Sequence, residues 1–315
     1  MTSQITTPVG NVHLNNHFVT SDFDLNEAVK AVEKSMLDVV NSDIDVLRDA
    51  SRHIIDSGGK RIRPKIVLLS YIATGGTDID YAVPPAAAIE LVHTASVVHD
   101  DINDHGVVRR GRPSVNALWG RTFALLTGDF LFTKVYELMS PYGDLNILFA
   151  RAAIALVEGE TLQAAAVKNN TLTSDIYFRI IALKTAELFR AGAMLGAKLS
   201  DAPESYVEAL AQYGYNIGMA FQIVDDILDV IGDEAQLGKT AHLDKEQGKG
   251  FTSVQDDDVM NDVKRKLMEG ERLKEARIQS EQFVEWGIAS ISILPDSPAK
   301  EALIDLARVV IERQF

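Results

Sequence analysis

The sequence lacks several residue types and patterns, and each absence excludes a class of protein. It contains no cysteine, which excludes disulfide bonds, thiol catalysis and thiolate metal sites. No apolar run reaches about 18 residues, so no segment is predicted to span a membrane. Strand-like alternation is nearly absent, and no linker rich in proline or serine divides the chain.

Basic residues are also scarce relative to acidic ones. The chain carries 31 Lys and Arg against 45 Asp and Glu, a formal net charge of −14. This balance argues against nucleic-acid binding and against stable attachment to anionic lipid. An anionic substrate must therefore meet a local basic cluster. Residues 1–15 have no basic-then-apolar pattern of a signal peptide, so a cytoplasmic location is predicted.

The apolar residues follow a helical period from residue 24 onward. The pattern predicts a flexible tail over residues 1–22 and one all-α domain over residues 23–315. Asp24 or Asn26 is predicted to cap the first helix, and Pro84-Pro85 to open the helix that reaches residue 104. The predicted helices cover about residues 24–40, 44–57, 60–74, 84–104, 114–139, 145–168, 173–199 and 203–231. A Gly- and Lys-rich loop at 232–251 and two or three helices within 255–313 complete the prediction.

An acidic pattern, Asp-Asp-x-x-Asp, occurs twice, at residues 100–104 and 225–229. Each copy ends a long apolar run, which argues against the alternative that both are merely solvated helix ends. On a helix, positions i and i+4 share a face, so each copy places at least two carboxylates on the same face of its helix. Two facing copies suit Mg²⁺, which binds carboxylates and keeps positions open for phosphates. The pattern predicts metal-dependent chemistry on a diphosphate, with candidates Asp100, Asp101, Asp104, Asp225, Asp226 and Asp229.

Basic residues stand where they can meet such a substrate. Lys60 and Arg63 lie three residues apart in the segment Ser-Gly-Gly-Lys-Arg-Ile-Arg-Pro. A helix start and two cations there favour the binding of an anion. The alternative is an ordinary turn with exposed charges. Arg109 and Arg110 closely follow the first acidic motif. They either bind the diphosphate, since arginine binds phosphate through two donors, or balance the charge of the nearby carboxylates. Lys184 interrupts an apolar helix, and a lysine is rarely buried without a partner.

Further candidates flank these motifs. Gln222 lies on the helical stripe of the second motif, and Lys239 follows it in the predicted loop, where it could close over a phosphate. Lys249 is read equally well as a solvated loop residue. His93 is either a substrate ligand or a core residue whose hydrogen bonds are made within the protein. His99 is interpreted as structural.

Taken together, these motifs resemble the trans-polyprenyl diphosphate synthase family. The Gly-Gly-Lys-Arg-Ile-Arg-Pro segment, both acidic motifs, Arg-Arg-Gly at 109–111, Lys-Thr at 184–185, Phe-Gln at 221–222 and Gly-Lys at 238–239 occur in the family's order. The resemblance covers about residues 24–250 and resumes near 293. The chain looks most like the bacterial long-chain, octaprenyl-type members.

The resemblance implies a single-domain isoprenoid synthase-like helical bundle around a central cavity, and a homodimer. It implies Mg²⁺-dependent head-to-tail (1′–4) condensation of isopentenyl diphosphate with an allylic diphosphate. Three Mg²⁺ ions would meet Asp100, Asp104 and Asp225, with Asp101, Asp226 and Asp229 ligating directly or through water. The allylic diphosphate would be held by Arg109, Lys184, Thr185, Gln222 and Lys239, and isopentenyl diphosphate by Lys60, Arg63, His93 and Arg110.

Product length is predicted from the helix that carries the first motif. Ala95 and Ser96 lie roughly 6–8 Å below the metals at the helical rise, and both are small. Bulky aromatic residues here stop growth at fifteen carbons in the family, so a product longer than C25 is expected. Geranylgeranyl diphosphate, C20, stays an alternative if a deeper residue closes the pocket, with Phe130, Phe132 and Tyr136 as candidates.

The chain also departs from the family pattern. The loop at 240–244 lacks the usual glycine, Gly-Phe-Thr-Ser-Val replaces the usual sequence after Lys249, and the segment before the final helices looks short by about two helices. Two rival functions follow. A class I terpene cyclase would not need the second basic site, and a non-catalytic partner subunit of a heteromeric synthase typically loses an acidic motif.

Overall fold

The helical periodicity of the sequence corresponds to α-helices in the computed structural model, which describes residues 19–20, 23–240 and 271–312 and the side chains of 23–228 and 273–312. The all-α prediction is confirmed. The helices are α1 Leu25–Val39, α2 Asp45–Asp56, α3 Ile62–Ala73, α4 Ile79–Asn103, α5 Val115–Met139, α6 Leu145–Lys168, α7 Ser174–Ile181, α8 Glu187–Leu199, α9 Glu204–Thr240, α10 Glu271–Ser290 and α11 Pro298–Glu312.

Short elements join these helices. A π-helical turn, Ala182–Ala186, links α7 to α8, and 3₁₀ turns follow α5 at Ser140–Tyr142 and α10 at Ile291–Ile293. Two antiparallel pairs of two-residue strands are present. They are β1 Val19–Thr20 with β2 Phe23–Asp24, and β3 Val108–Arg109 with β4 Arg112–Pro113.

Polar side chains set the starts of several helices. The Asp24 carboxylate accepts a hydrogen bond from the Asn26 amide at 2.8 Å, so Asp24 is the cap of α1. The Ser114 hydroxyl accepts from the Ala117 amide at the start of α5. Such caps satisfy backbone donors that have no partner inside the helix, and they explain why these boundaries were predictable.

Two predicted boundaries are wrong. Helix α4 begins at Ile79, so Pro84 and Pro85 lie in its second turn rather than at its start. The carbonyl of Tyr81, which Pro85 cannot bond, accepts instead from the Tyr142 hydroxyl at 2.8 Å, and this bond helps the helix to tolerate the prolines. Helix α9 continues to Thr240, so the predicted loop does not begin at 232. The rest of that loop, 241–251, lies outside the described residues.

Helices α4 and α8 form the centre of the bundle. Helix α4 packs against α1, α3, α5 and α8, and helix α8 packs against α3, α6 and α9. One apolar core cluster joins residues from α1 through α11, beginning at Leu25 and ending at Val310. Among the described residues, we find no helix long and apolar enough to cross a bilayer. This packing brings the end of α4 and the middle of α9 to one cavity.

Candidate functional site

A cavity of about 670 Å³ lies among α3, α4, α6, α7 and α9. Most of the residues predicted from the sequence line it. They are Lys60, Arg63, His93, Ser96, Asp100, Asp104, Arg109, Arg110, Lys184, Thr185, Gln222, Asp225 and Asp226. The structure therefore brings carboxylates of both acidic motifs to one cavity. Every predicted basic residue whose side chain is described lies there as well.

The first acidic motif occupies the last turn of α4. Asp100 and Asp104 face the cavity, as the i, i+4 spacing predicts, and Asp104 follows directly on the helix end. Asp101 points elsewhere and is 1% exposed. Its Oδ1 accepts from Arg109 Nη2 at 2.6 Å and from Arg109 Nε at 3.0 Å. Asp101 thus fixes Arg109 at the cavity wall instead of lining the cavity itself.

The second acidic motif lies in α9. Asp225 and Asp226 both line the cavity. The Asp226 carboxylate is 1% exposed and accepts from the Tyr177 hydroxyl at 2.6 Å and from Gln222 Nε2 at 3.2 Å. The side chains of Asp229 and Lys239 lie outside the described part of the chain, and Lys249 lies outside the described residues altogether.

The described carboxylates do not by themselves form a complete metal site. Among the described residues, no three His, Asp or Glu side chains converge on one point. The donor set nevertheless fits Mg²⁺, because hard carboxylate oxygens from two helices share one cavity and this ion commonly completes its coordination with water and substrate phosphate. Asp100, Asp104 and Asp225 are the residues that would hold it.

A π-helical turn presents the next pair of side chains. Lys184 and Thr185 lie in Ala182–Ala186, and such turns inside helices are frequent at functional sites. Lys184 Nζ lies 2.8 Å from Glu160 Oε1 and donates to Gln163 Oε1 at 2.9 Å. Thr185 Oγ1 donates to Gln222 Oε1 at 2.7 Å. The lysine that interrupts an apolar helix is thus held by polar partners on α6.

Asp100 has an unusual protonation equilibrium in this setting. Burial is the largest cause that raises its pKa, to about 7, and Lys184 opposes it, whereas the neighbouring Glu160 adds to it by charge and by a hydrogen bond. A nearby cation stabilises the ionised form of a carboxyl whose pKa lies near 7. This property favours a metal ion at this end of the cavity.

A cluster of cations forms another part of the cavity wall, called the basic end below. Lys60, Arg61, Arg63 and Arg110 belong to it, and Arg109, which Asp101 holds, lies near both Arg110 and Asp100. The pKa of Arg63 and that of Arg110 are lowered chiefly by burial, with further lowering by neighbouring arginines. An anion that binds among these arginines reduces the repulsion between their like charges. Arginine binds phosphate through paired donors.

His93 and Gly59 complete this basic wall. Burial, and then the charges of Arg63 and Arg110, lower the pKa of His93 well below its ordinary value, so its imidazole is neutral. A Cβ on Gly59 would lie 2.8 Å from Arg110 Nη1, so a larger residue here would displace the end of the arginine side chain. Gly59 therefore leaves room for Arg110 in the site, whereas an added Cβ on Gly58 would meet nothing within 4 Å.

Sequence reasoning missed five residues that line the cavity as part of its polar network. Arg61, whose backbone is left-handed at φ 49°, binds Glu33 at 2.9 Å and Glu90 at 3.2 Å. Glu160 and Gln163 hold Lys184, as described above. The missed residues are Arg61, Glu90, Glu160, Gln163 and Tyr177. Isolated acidic or amide residues within the apolar runs of α4 and α6 were the available indication.

The two residues predicted to set product length do not behave alike. Ser96 lines the cavity, and its hydroxyl donates to the His93 carbonyl at 2.9 Å. Ala95 is 0% exposed, belongs to the apolar core and does not line the cavity. Its small size therefore matters for core packing and does not widen this space directly.

A second cavity of about 300 Å³ lies further along α4 and is mostly apolar. Its lining includes Val92, two turns before Asp100, together with Phe132, Tyr136 and Phe149. Phe130 does not line it; Lys134 Nζ lies 5.3 Å from the centroid of the Phe130 ring. Of the three aromatic candidates for a deeper floor, two are therefore placed at this cavity.

Comparison with known proteins gives the same picture over most of the chain. The family model described as Polyprenyl synthetase matches residues 44–269. Octaprenyl diphosphate synthase of Escherichia coli is 33% identical over 306 residues, covering 90% of this chain and 94% of that protein. Geranylgeranyl diphosphate synthase of Saccharolobus solfataricus is 37% identical over 234 residues, covering 71% and 70%.

The structure is similar to solved structures as well. A decaprenyl diphosphate synthase from Rhodobacter capsulatus superposes with a TM-score of 0.77 at 31% sequence identity, covering 92% of this chain and 97% of that one. These two matches extend over nearly the whole length of the relatives, and they leave the expectation of a short segment before the final helices a prediction.

Proposed function

Since this chain belongs to the polyprenyl synthetase family and is a prenyltransferase that makes trans-polyprenyl diphosphates, we propose that its product is longer than C25. We propose further that the reaction is a Mg²⁺-dependent head-to-tail (1′–4) condensation of isopentenyl diphosphate with an allylic diphosphate. The observation that supports this most is the single cavity that carboxylates from α4 and α9 line together with a cluster of cations.

The acidic end would receive the allylic diphosphate. Asp100, Asp104 and Asp225 would hold Mg²⁺, which when bound stabilises the negative charge that develops on the leaving diphosphate. Lys184 adds a fixed positive charge at the same end, and a cation placed in advance costs no reorganisation during the reaction. Thr185, Gln222 and Arg109 complete the binding set that we propose for this substrate.

The basic end would receive isopentenyl diphosphate. Lys60, Arg63 and Arg110 supply positive charge, and neutral His93 supplies a hydrogen-bond donor. Glu33 and Glu90 hold the neighbouring Arg61, which keeps the cation cluster in place before substrate arrives. Holding the two substrates side by side in one cavity converts their encounter into an intramolecular step.

The second diphosphate site also separates this proposal from the rival functions. A terpene cyclase would have no use for a cluster of cations beyond the metal end. A non-catalytic partner subunit would have no reason to keep carboxylates of both motifs in one cavity. The direct experiment is incorporation of labelled isopentenyl diphosphate into an extractable product. Incorporation should require both an allylic primer and Mg²⁺, and removal of Mg²⁺ with EDTA should abolish it.

The two cavities along α4 support a long product. The growing chain would leave the metal end past Ser96 and then reach Val92, about 6 Å further at the helical rise. There the second, apolar cavity offers space for more isoprene units. The similarity to a geranylgeranyl diphosphate synthase supports C20 as the second candidate, in which case Phe132 or Tyr136 would close the path.

A larger side chain at Ser96 should therefore shorten the product. Ser96→Phe fills the wall of the main cavity between the metals and the second cavity, so we expect a product of about C15–C20 with condensation retained. The measurement is chromatographic sizing of the dephosphorylated products. Ser140→Phe, at an exposed position outside both cavities, is the matched control and should leave the length unchanged. An unchanged length for Ser96→Phe would contradict this path.

We also propose that the chain forms a homodimer through α5 and α6. These helices expose large apolar side chains, and an exposed apolar face of this kind calls for a partner. The chain's net charge of −14 disfavours an anionic membrane as that partner, so a second copy fits best. The exposed residues of this face are Leu118, Phe123, Leu125, Leu126, Tyr136, Ile147, Ile154 and Val157.

Light scattering tests the dimer. We expect twice the 34.5 kDa chain mass for the wild type and the single-chain mass for Leu126→Glu, because a charge at the centre of an apolar interface is costly. Ile278→Glu places the same charge on an exposed apolar residue of α10, which packs against α9 and α11, and should leave the dimer intact. A wild type with the mass of one chain would contradict the proposal.

A further inference from the structure

Tyr177 is a buried side chain at the cavity that the proposed mechanism does not use. It lies in α7, one turn before the π-helical turn, lines the cavity and is 3% exposed. Its hydroxyl donates to Asp226 Oδ2 at 2.6 Å, the length expected of a strong bond between a hydroxyl and a carboxylate.

This bond belongs to a network that links two segments of the site. Gln222 donates from Nε2 to the other oxygen of Asp226 at 3.2 Å, and Gln222 Oε1 accepts from Thr185 at 2.7 Å. Tyr177 and Thr185 lie in the continuous segment of α7 and the π-helical turn, whereas Gln222 and Asp226 lie in α9. The network therefore fixes the second acidic motif relative to the segment that carries Lys184.

The surroundings of Asp226 make this network necessary. The second core cluster packs apolar residues of the π-helical turn and α9 around Tyr177, including Ala186, Ile223 and Ile227. A carboxylate that is 1% exposed in such surroundings must be held by hydrogen-bond donors. Its neighbour Asp225 faces the cavity from the same turn of α9, so the orientation of one carries over to the other.

We propose that Tyr177 is a positioning residue of the reaction: its hydroxyl fixes the Asp226 carboxylate and thereby the presentation of Asp225 to the metal ions. The inference rests on the proposed function, because it needs a metal at the second motif. Loss of such a supporting bond typically weakens metal binding or activity by about 10–100-fold. Tyr177→Phe removes the hydroxyl and keeps the ring, so it isolates this contribution.

The test is Mn²⁺ binding, measured by electron paramagnetic resonance in the presence of saturating inorganic diphosphate. We expect Tyr177→Phe to bind Mn²⁺ about 10–100-fold more weakly than the wild type. In turnover, kcat should fall while KM for isopentenyl diphosphate stays unchanged, because the basic end is untouched. Tyr213→Phe is the matched control: this α9 tyrosine is also buried and donates its hydroxyl bond, 2.6 Å long, to the Leu303 carbonyl away from the cavity.

The outcomes separate this inference from the proposed function. A wild type that does not bind Mn²⁺ with diphosphate would overturn both. A wild type that binds, with Tyr177→Phe binding equally well, overturns only the role of Tyr177. Gln222→Met is a second variant in the same network. At saturating diphosphate it should also weaken Mn²⁺ binding, whereas unchanged binding in both variants would reject the network as a positioning device.

Discussion

Asp225→Asn is expected to lower kcat/KM by about 10³-fold or more while the protein stays folded. Asp225 lines the cavity and is one of the carboxylates that we propose to hold Mg²⁺. The amide keeps the shape of the side chain but loses the charge, so the leaving diphosphate loses part of its stabilisation, which is usually the largest single term in such a reaction. Asp225 also opposes the lowering of the pKa of Arg63, so its charge supports the basic end as well.

The control for this variant lies on the same helix. Glu208 is exposed on α9 and hydrogen bonds to Gln212, so Glu208→Gln also exchanges a carboxylate for an amide, but outside the cavity. Steady-state kinetics should show near wild-type turnover for Glu208→Gln. Turnover of Asp225→Asn within a few-fold of the wild type would show that α9 does not supply a metal ligand at this position.

Lys184→Met is expected to have the second largest effect, a loss of about 10²–10³-fold in kcat. The ammonium is held between Glu160 and Gln163 and faces the same cavity end as Asp100. Methionine keeps the length of the side chain and removes the charge. The leaving diphosphate then loses a fixed cation, and Glu160 loses its ion-pair partner.

The same variant should change the pH dependence in a defined direction. Lys184 lowers the pKa of Asp100, which stands at about 7 because burial outweighs this effect. Without Lys184 the pKa rises further. Because the ionised carboxylate is the form that binds a metal ion, activity should begin to rise only at a higher pH than in the wild type. The measurement is the pH profile of kcat/KM at fixed Mg²⁺.

Lys198→Met serves as the matched control for Lys184→Met. Lys198 lies on α8 and pairs with the exposed Glu204 at 3.4 Å, away from the cavity. Its replacement should leave both kcat and the pH profile unchanged. If Lys184→Met kept its activity and its acid limb stayed in place, Lys184 would be a structural partner of Glu160 and no part of diphosphate binding.

The fold was largely predictable because its helices carry clear ends and clear periods. Helix α6 was predicted at 145–168 and runs over Leu145–Lys168. The errors arose where local rules compete with tertiary contacts. Pro84 and Pro85 suggested a helix start, yet Asp78 caps an earlier turn and Tyr142 bonds the carbonyl left without a partner. Gly232 suggested a helix end, yet α9 continues past it.

The candidate site was predictable where charges interrupt apolar runs in a recurring pattern. Asp100, Asp225 and Lys184 are such residues, and the structure places all three at one cavity. The residues that hold them were not predictable in the same way. Tyr177 and Gln163 act through partners that are distant in sequence, at Asp226 and Lys184, and only the packing of α6, α7 and α9 brings them together.

Product analysis tests the central claim most directly. Purified protein is incubated with Mg²⁺, labelled isopentenyl diphosphate and farnesyl diphosphate, and the products are extracted, dephosphorylated and sized by chromatography. We expect a ladder of prenyl alcohols that ends beyond C25. A ladder that stops at C20 would retain the condensation and contradict the proposed length. No incorporation, under conditions in which a known synthase is active, would contradict the assignment of this cavity as a working active site.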